Sequence, residues 1–186
     1  MIRKLDALRW YVLARTNFAL RKRPWPQGLS VLGPVGLGGG GQLTIGSDVK
    51  IVSLSRYNRA GINHPTELAV EAGASLTIGD RVGMSGAAIY ASERIIIGND
   101  VLLGANVKIY DTDFHPLSAA DRLASKPSAT APVEIHDAVW LGANVTVLKG
   151  VTIGARTVVA AGSIVTKDLP PDVLAAGIPA RVIGPA

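Results

Sequence analysis

The sequence predicts an all-β solenoid with an N-terminal α-helix and one protruding loop. The main observation is an aliphatic residue that recurs every six positions between residues 135 and 165: Ile135, Leu141, Val147, Ile153, Val159 and Val165. A period of six fits neither an amphipathic helix nor an alternating strand. If each unit is a short strand plus a corner, three units close one triangular coil. The aliphatic positions then stack along its axis, as in a parallel β-helix.

The same period occurs further upstream, in units that begin at Ile45, Ile78, Ile97 and Leu103. The register slips by one residue between Tyr90 and Ile95, which predicts a residue inserted at a corner. The composition agrees, since 48% of the residues are hydrophobic, only 5% are aromatic and 21 are glycine. Such a solenoid needs thin branched side chains inside and tight corners. Cysteine is absent, which excludes disulfides, thiol catalysis and cysteine-based zinc sites.

Residues 1–26 are predicted to form a basic amphipathic helix that ends before Pro24 and Pro26. Residues 1–23 hold seven Lys or Arg against one Asp, so their net charge of +6 accounts for the whole chain's +5, and the remaining residues carry −1. Two interpretations stay open: a cap over the open end of the solenoid, or a helix lying on an anionic membrane surface. Its apolar stretch is too short to span a bilayer. No nucleic-acid motif accompanies the charge, so no nucleic-acid partner is expected. We expect a cytoplasmic protein, and the second interpretation of the helix would add a peripheral contact at the inner face of the membrane.

Residues 27–168 are assigned to the β-helix and residues 169–186 to a C-terminal tail. The polar stretch 54–72 is interpreted as a coil with an excursion. The solenoid is interrupted again at 111–132, where a loop protrudes at about residues 115–132. Loops of this length in compact domains are usually functional or disordered.

The protruding loop opens with Asp111, Thr112, Asp113, Phe114 and His115. An Asp-x-Asp metal site is disfavoured because the strand and helix alternation of sugar-nucleotide transferases is missing, and no metal is predicted. His115 lies at the junction of coil and loop, near carboxylates that could orient an imidazole. It is the candidate general base.

The motifs of the second half, in order, resemble the left-handed β-helix (hexapeptide-repeat) acyltransferases. Within them the chain is most similar to the sugar O-acetyltransferases of the lipopolysaccharide, capsule, maltose and galactoside type. The resemblance runs from about Ile78 to Ile183. It is carried by Asp-Thr-Asp-Phe-His-Pro-Leu at 111–117, by 139–144 and 150–154, by Ala-Gly-Ser-Ile-Val-Thr-Lys-Asp at 161–168 and by 176–180.

The resemblance implies a homotrimer with acetyl-CoA in the groove between neighbouring solenoids and an active site at each interface. It identifies His115 as the general base that deprotonates an acceptor hydroxyl during direct attack on the thioester. General chemistry agrees, because a hydroxyl needs a base and an imidazole can later return the proton to the leaving thiolate. The family match assigns cofactor contacts to Ala143, Ala161, Thr166, Lys167 and Arg181.

Four further residues are expected to bind or orient the acceptor: Ser85, Asp111, Asp113 and Trp140. Simple sugar acetyltransferases carry an Asn near Ser85 or Gly86, and its absence here leaves the acceptor open. The expected function is acetyl-CoA-dependent O-acetylation of a sugar hydroxyl in polysaccharide or glycolipid biosynthesis. The alternatives are an amino-sugar N-acyltransferase and a non-catalytic scaffold. A metal hydratase is disfavoured, because the only histidines are 64, 115 and 136.

Overall fold

The solenoid is built from three parallel sheets that form the sides of a triangular coil. The structure, a computed structural model, describes residues 4–186, so residues 1–3 of the predicted N-terminal helix lie outside the described residues. Helix α1 (Lys4–Leu20) precedes the strands, and a short helix α2 (Ala119–Leu123) lies within the protruding loop.

We call the three sides sheets A, B and C. Sheet A contains β1 (Ser30–Leu32), β4 (Lys50–Val52), β7 (Gly83–Ser85), β10 (Leu102–Ala105), β13 (Trp140–Leu141), β16 (Val158–Val159), β18 (Val173–Gly177) and β19 (Ala180–Pro185). Sheet B contains β2 (Val35–Gly38), β5 (Thr66–Val70), β8 (Ala88–Ala91), β11 (Lys108–Tyr110), β14 (Thr146–Val147) and β17 (Ile164–Val165). Sheet C contains β3 (Gln42–Ile45), β6 (Ser75–Ile78), β9 (Arg94–Ile97), β12 (Val133–Ile135) and β15 (Thr152–Ile153).

The chain runs from A to B to C and back to A, so each coil has an A/B, a B/C and a C/A corner. All pairs between coils are parallel, for example Ile135 with Ile153 and Leu141 with Val159. The six residues of the aliphatic repeat from 135 to 165 are each at most 1% exposed, as predicted for the axis of the coil. Burying such a side chain stabilises the fold by about 1.5–3 kcal/mol.

The predicted insertion lies in the coil that contains β8 and β9. Ile78 pairs with Ile97, one residue further along than three hexads reach. Strand β8 ends at Ala91 and β9 begins at Arg94, which places Ser92 and Glu93 at the B/C corner between them.

Helix α1 covers the first coil, which supports the cap interpretation. Ala14 and Phe18 are buried, and the Asn17 amide donates a hydrogen bond to the Val35 carbonyl at 2.9 Å. The helix ends at Leu20, earlier than predicted, and Lys22 adopts a positive φ of 54° just after it. The predicted amphipathic pattern is wrong, because large apolar side chains also lie on the side away from the solenoid. Leu8, Val12 and Leu20 are 58%, 51% and 79% exposed.

The segment assigned to a C-terminal tail forms a hairpin. Strand β18 joins sheet A beside β16 in parallel, and β19 returns antiparallel to β18. The hairpin therefore extends sheet A beyond the last complete coil.

The C/A corner is tied together by side chains that reach from one coil to the backbone of the preceding coil. The Ser47 backbone N–H donates to Asp80 Oδ1 at 2.7 Å, Asp80 N–H to Asn99 Oδ1 at 2.9 Å, and Asn99 N–H to Asp137 Oδ1 at 2.7 Å. The hydrogen bonds from Ser47 hold the pKa of Asp80 below its ordinary value. This corner thus stacks without interruption through polar contacts within the chain.

Candidate functional site

The protruding loop is held at its base by Asp111. This carboxylate is 0% exposed and accepts hydrogen bonds from the backbone N–H groups of Ser92, Glu93 and Arg94 at 2.7, 2.8 and 2.8 Å. A buried carboxylate with three such donors is a strong anchor. The expectation that Asp111 contacts the acceptor is wrong, because no acceptor reaches a fully buried side chain. Its role is to fix the loop to the B/C corner of the preceding coil.

The turn that presents His115 is strained and braced. Phe114 has a positive φ of 61°, a conformation that costs a bulky side chain of order 1–3 kcal/mol. Its ring packs against Tyr90 and Tyr110, with centroid distances of 4.9 and 5.1 Å. The His115 backbone N–H donates to the Asp113 carbonyl at 2.7 Å. These contacts fix the backbone position from which the His115 side chain extends.

The imidazole of His115 is exposed and makes no hydrogen bond within residues 4–186. Asp113, predicted to orient it or to bind acceptor, forms an ion pair with Lys149, with Nζ 3.3 Å from Oδ2. Sequence reasoning missed Lys149, which lies at the B/C corner after β14. The imidazole of His115 is therefore free to meet a group from outside its own chain.

A polar pocket of about 350 Å³ lies beneath the loop. Tyr90 donates its hydroxyl to Glu71 at 2.6 Å, which raises the pKa of Tyr90. The hydroxyls of Thr112 and Ser128 are 3.0 Å apart. These residues were not selected from the sequence, because they come from three separate segments. The full lining consists of Glu71, Tyr90, Ser92, Thr112, Phe114, Lys126, Pro127, Ser128 and Thr130.

An apolar groove of about 420 Å³ runs along the A/B corner. Three of the residues predicted to contact cofactor or acceptor lie together in it: Trp140, Ala143 and Ala161. Trp140 is 52% exposed. Gly142 in this groove lets the next coil approach closely, because a Cβ there would come within 2.6 Å of the Ala161 nitrogen. The other lining residues are Asn58, Ala60, Gly104, Ala105, Gly142, Val158, Val159 and Ala160.

The remaining predicted residues lie at the two edges of sheet B and, for Arg181, in the C-terminal hairpin of sheet A. Ser85 ends β7 at the A/B corner, where its carbonyl accepts the Asn106 backbone N–H at 2.9 Å. Thr166 and Lys167 are exposed at the B/C corner after β17, and Arg181 is exposed on β19. Within one chain, His115 and the groove are therefore on opposite edges of sheet B.

Residues 4–186 contain no group of three His, Asp or Glu side chains placed to hold a metal ion. Across the same residues, no helix combines the length and the apolar character needed to cross a membrane.

Two family models match the chain. The model described as "Bacterial transferase hexapeptide (six repeats)" matches residues 132–167, and "Hexapeptide repeat of succinyl-transferase" matches residues 94–109. The galactoside O-acetyltransferase of Escherichia coli K12 is 45% identical over 89 residues, 48% of this chain and 43% of the relative. A putative acetyltransferase of Saccharomyces cerevisiae is 40% identical over 112 residues, 60% of this chain and 56% of the relative. The chain thus spans about half the length of the curated relatives it matches.

Solved structures extend the similarity over more of the chain. The polysialic acid O-acetyltransferase OatWY is 30% identical with a TM-score of 0.65, covering 81% of this chain and 67% of that one. A galactoside acetyltransferase in complex with coenzyme A is 27% identical with a TM-score of 0.53, covering 97% and 80%. These neighbours confirm the predicted left-handed parallel β-helix class. With its repeats, its fold and these relatives, the chain belongs to the hexapeptide-repeat transferase family.

Proposed function

We propose that the protein is an acetyl-CoA-dependent O-acetyltransferase that acts on a sugar hydroxyl in polysaccharide or glycolipid assembly. The observation that carries this proposal is the exposed, unpaired imidazole of His115, presented by a loop that Asp111 anchors with three hydrogen bonds. A histidine held in this way, with no partner in its own chain, suits a general base. Galactoside and polysialic acid O-acetyltransferases among the relatives support a sugar acceptor.

The A/B groove is the proposed donor site. Its small residues and the face of Trp140 offer a narrow apolar channel, which suits the thin pantetheine arm of coenzyme A. Lys167 lies at the B/C corner, so the Lys167 that meets the nucleotide phosphates at this groove belongs to the neighbouring copy, and Arg181 on β19 supplies a second exposed cation. Two solved neighbours, each 27% identical, hold this kind of ligand: a galactoside acetyltransferase with coenzyme A and a Vibrio cholerae hexapeptide-repeat acetyltransferase with acetyl-CoA.

The position of the two parts favours a homotrimer. His115 and the groove lie on opposite edges of sheet B, so a neighbouring copy must bring its A/B corner against the loop. Repeating that head-to-tail contact three times closes a ring and gives three equivalent sites.

In the proposed reaction, His115 accepts the proton of the acceptor hydroxyl as its oxygen attacks the thioester carbonyl carbon. The tetrahedral intermediate collapses, the carbon–sulfur bond breaks, and the imidazolium returns the proton to the departing thiolate. The products are an acetyl ester and coenzyme A with a free thiol. Backbone N–H groups at the coil corners are available to stabilise the oxyanion.

The proposal is tested by thiol release from acetyl-CoA with a panel of hydroxyl sugars and amino sugars. We expect turnover on a hydroxyl sugar that depends on His115, and three chains per particle in light scattering. Turnover on amino sugars alone would establish the N-acyltransferase alternative. If calorimetry detected no binding of coenzyme A, the non-catalytic scaffold would become the favoured function.

The enzyme is proposed to lie at a membrane surface, which it contacts peripherally through α1. Leu8, Val12 and Leu20 are exposed on the side of the helix away from the solenoid, and Arg21, Lys22 and Arg23 follow it. Apolar side chains beside basic ones favour an anionic lipid surface. Co-sedimentation with anionic and with neutral vesicles tests this contact. If equal fractions of the protein sedimented with both, the proposed contact with an anionic surface would be wrong.

A further inference from the structure

The A/B corner carries an excursion of its own, residues 54–65, which we call the corner excursion. It leaves after β4, contains a 3-10 turn at Ser55–Tyr57 and returns at β5. Its neck is closed by a buried hydrogen bond from the Thr66 N–H to the Ser53 hydroxyl at 3.0 Å. Neither matched family model covers it, since they span residues 94–109 and 132–167.

Residues of the solenoid hold the corner excursion in place through hydrogen bonds and close packing. Asn106 is only 6% exposed and uses both ends of its amide: Oδ1 accepts from Asn63 N–H at 2.8 Å, and Nδ2 donates to the Gly61 carbonyl at 3.0 Å. One coil earlier, a Cβ at Gly86 would lie 2.5 Å from Ile62 Cγ2, so only glycine admits the excursion there. The excursion therefore lies in a fixed position over the A/B corner.

The tip of the corner excursion forms one wall of the apolar groove. Asn58 and Ala60 line the groove together with Trp140 and Ala143. The tip turn is fixed by a hydrogen bond from Ala60 N–H to Asn58 Oδ1 at 2.8 Å. The groove is thus shaped partly by residues from outside the repeats that define the family.

Two arginines of the excursion differ in their partners. Arg56 lies 3.7 Å from a carboxylate oxygen of Asp6 and 4.7 Å above the ring of Tyr57. Arg59 is exposed, follows Asn58 and precedes Ala60 in the sequence, and is not itself a lining residue of the groove. It forms no ion pair with the side chains that the structure describes. A cation without a protein partner beside a groove is available to an anionic ligand.

We propose that the corner excursion is an acceptor-binding element in which Arg59 binds an anionic group, a carboxylate or a phosphate, of an acidic sugar. This inference rests on the proposed acetyl transfer. Asn106 lies between β10 and β11, and β11 leads directly into the loop of His115, so the excursion is at the axial level of the base. The cations assigned to the donor's phosphates, Lys167 and Arg181, lie in the last coils instead. Across the subunit interface, the tip therefore borders the reacting end of the donor.

The test measures binding of three probes to the full-length trimer saturated with coenzyme A: glucose, glucuronate and glucose 1-phosphate. We expect at least one acidic probe to bind more tightly than glucose. Arg59→Gln should weaken that probe about tenfold and leave glucose and coenzyme A unchanged, as expected for loss of one charged hydrogen-bond donor. Arg56→Gln is the matched control and should change none of the three affinities. The acidic probe that responds identifies a carboxylate or a phosphate as the group.

Three results would overturn the inference: no preference for either acidic probe, an acidic-probe affinity that Arg59→Gln does not change, or weaker binding of coenzyme A in that variant. A protein that binds no coenzyme A contradicts the proposed function instead, so the two failures are distinguishable. In kinetics, the same variant should raise KM for an acidic acceptor without changing KM for acetyl-CoA.

Discussion

The C/A corner and the other two corners are made by the same repeat, yet they treat polar residues differently. At the C/A corner, Arg81 donates to both oxygens of Asp100 at 2.7 and 2.8 Å, and Asp80 accepts from the backbone of the coil before it. At the A/B and B/C corners, excursions interrupt the stack, and Arg59, His115 and Lys167 are exposed.

The difference distinguishes polar side chains that stabilise the solenoid from polar side chains that are available to bind a ligand. A side chain whose hydrogen bonds are satisfied by the next coil is already used by the fold. A cation or imidazole that is left exposed at a rigid corner costs the fold little and is available for binding. Loss of a C/A side chain should therefore change stability slightly, and loss of an exposed, unpaired A/B or B/C side chain such as Arg59 or His115 should change activity.

The largest effect is expected for His115→Ala, which should lower kcat by roughly 10²–10⁴ because the hydroxyl loses its base. The melting temperature should stay unchanged, since the imidazole is exposed and unbonded in its own chain. Steady-state kinetics with acetyl-CoA and calorimetry measure the two quantities.

His136→Ala is the matched control for this comparison, because His136 is an exposed histidine at the C/A corner. It should retain full activity. Equal loss in both variants, or full activity of His115→Ala, would contradict the assignment of the B/C corner as the catalytic one.

The two aspartates of the protruding loop, Asp111 and Asp113, should differ in how much they contribute to stability. Asp111→Ala removes the fully buried acceptor of three backbone N–H groups, so the free energy of unfolding should fall by about 3 kcal/mol. Asp113→Ala removes an ion pair at the surface with Lys149 and should cost about 1 kcal/mol or less. Urea denaturation measures both. Equal losses would show that Asp111 is not the anchor of the loop.

The sequence predicts the repetitive part of the molecule well, because a period of six is a local signal. The axis residues from Ile135 to Val165 are buried as predicted, and the inserted residue lies in the predicted coil. The grouping of Ala143 and Ala161 follows from their equivalent places in successive coils, and Trp140 lies on the same coil as Ala143. The parts that break the repeat were less predictable, since their contacts join distant segments.

Asp111 illustrates this limit. In the sequence it resembles a site residue, but its partners are the N–H groups of Ser92, Glu93 and Arg94, which no motif records. The hydrogen bonds of Asn106 with the backbone of residues 61 and 63 were likewise not predictable from the sequence. The helix is a third case: its apolar residues face both the solenoid and the outside, so they did not indicate a single buried face.

The smallest effect is expected at the C/A corner itself, for Asp100→Asn. The guanidinium of Arg81 donates hydrogen bonds to this carboxylate and lowers its pKa from the ordinary value of 3.8. A lowered folded-state pKa means that the ion pair contributes above about pH 3.8 and loses its contribution as the pH falls through the folded-state pKa. Both side chains are about half exposed, so solvent screens the pair. The melting temperature of Asp100→Asn should lie slightly below that of the wild type at pH 7, and the difference should be smaller at about pH 3. Thermal denaturation at the two pH values measures the difference. A large loss at pH 7 would mean that this corner depends on single ion pairs, whereas a small one supports a stack held by many weak contacts.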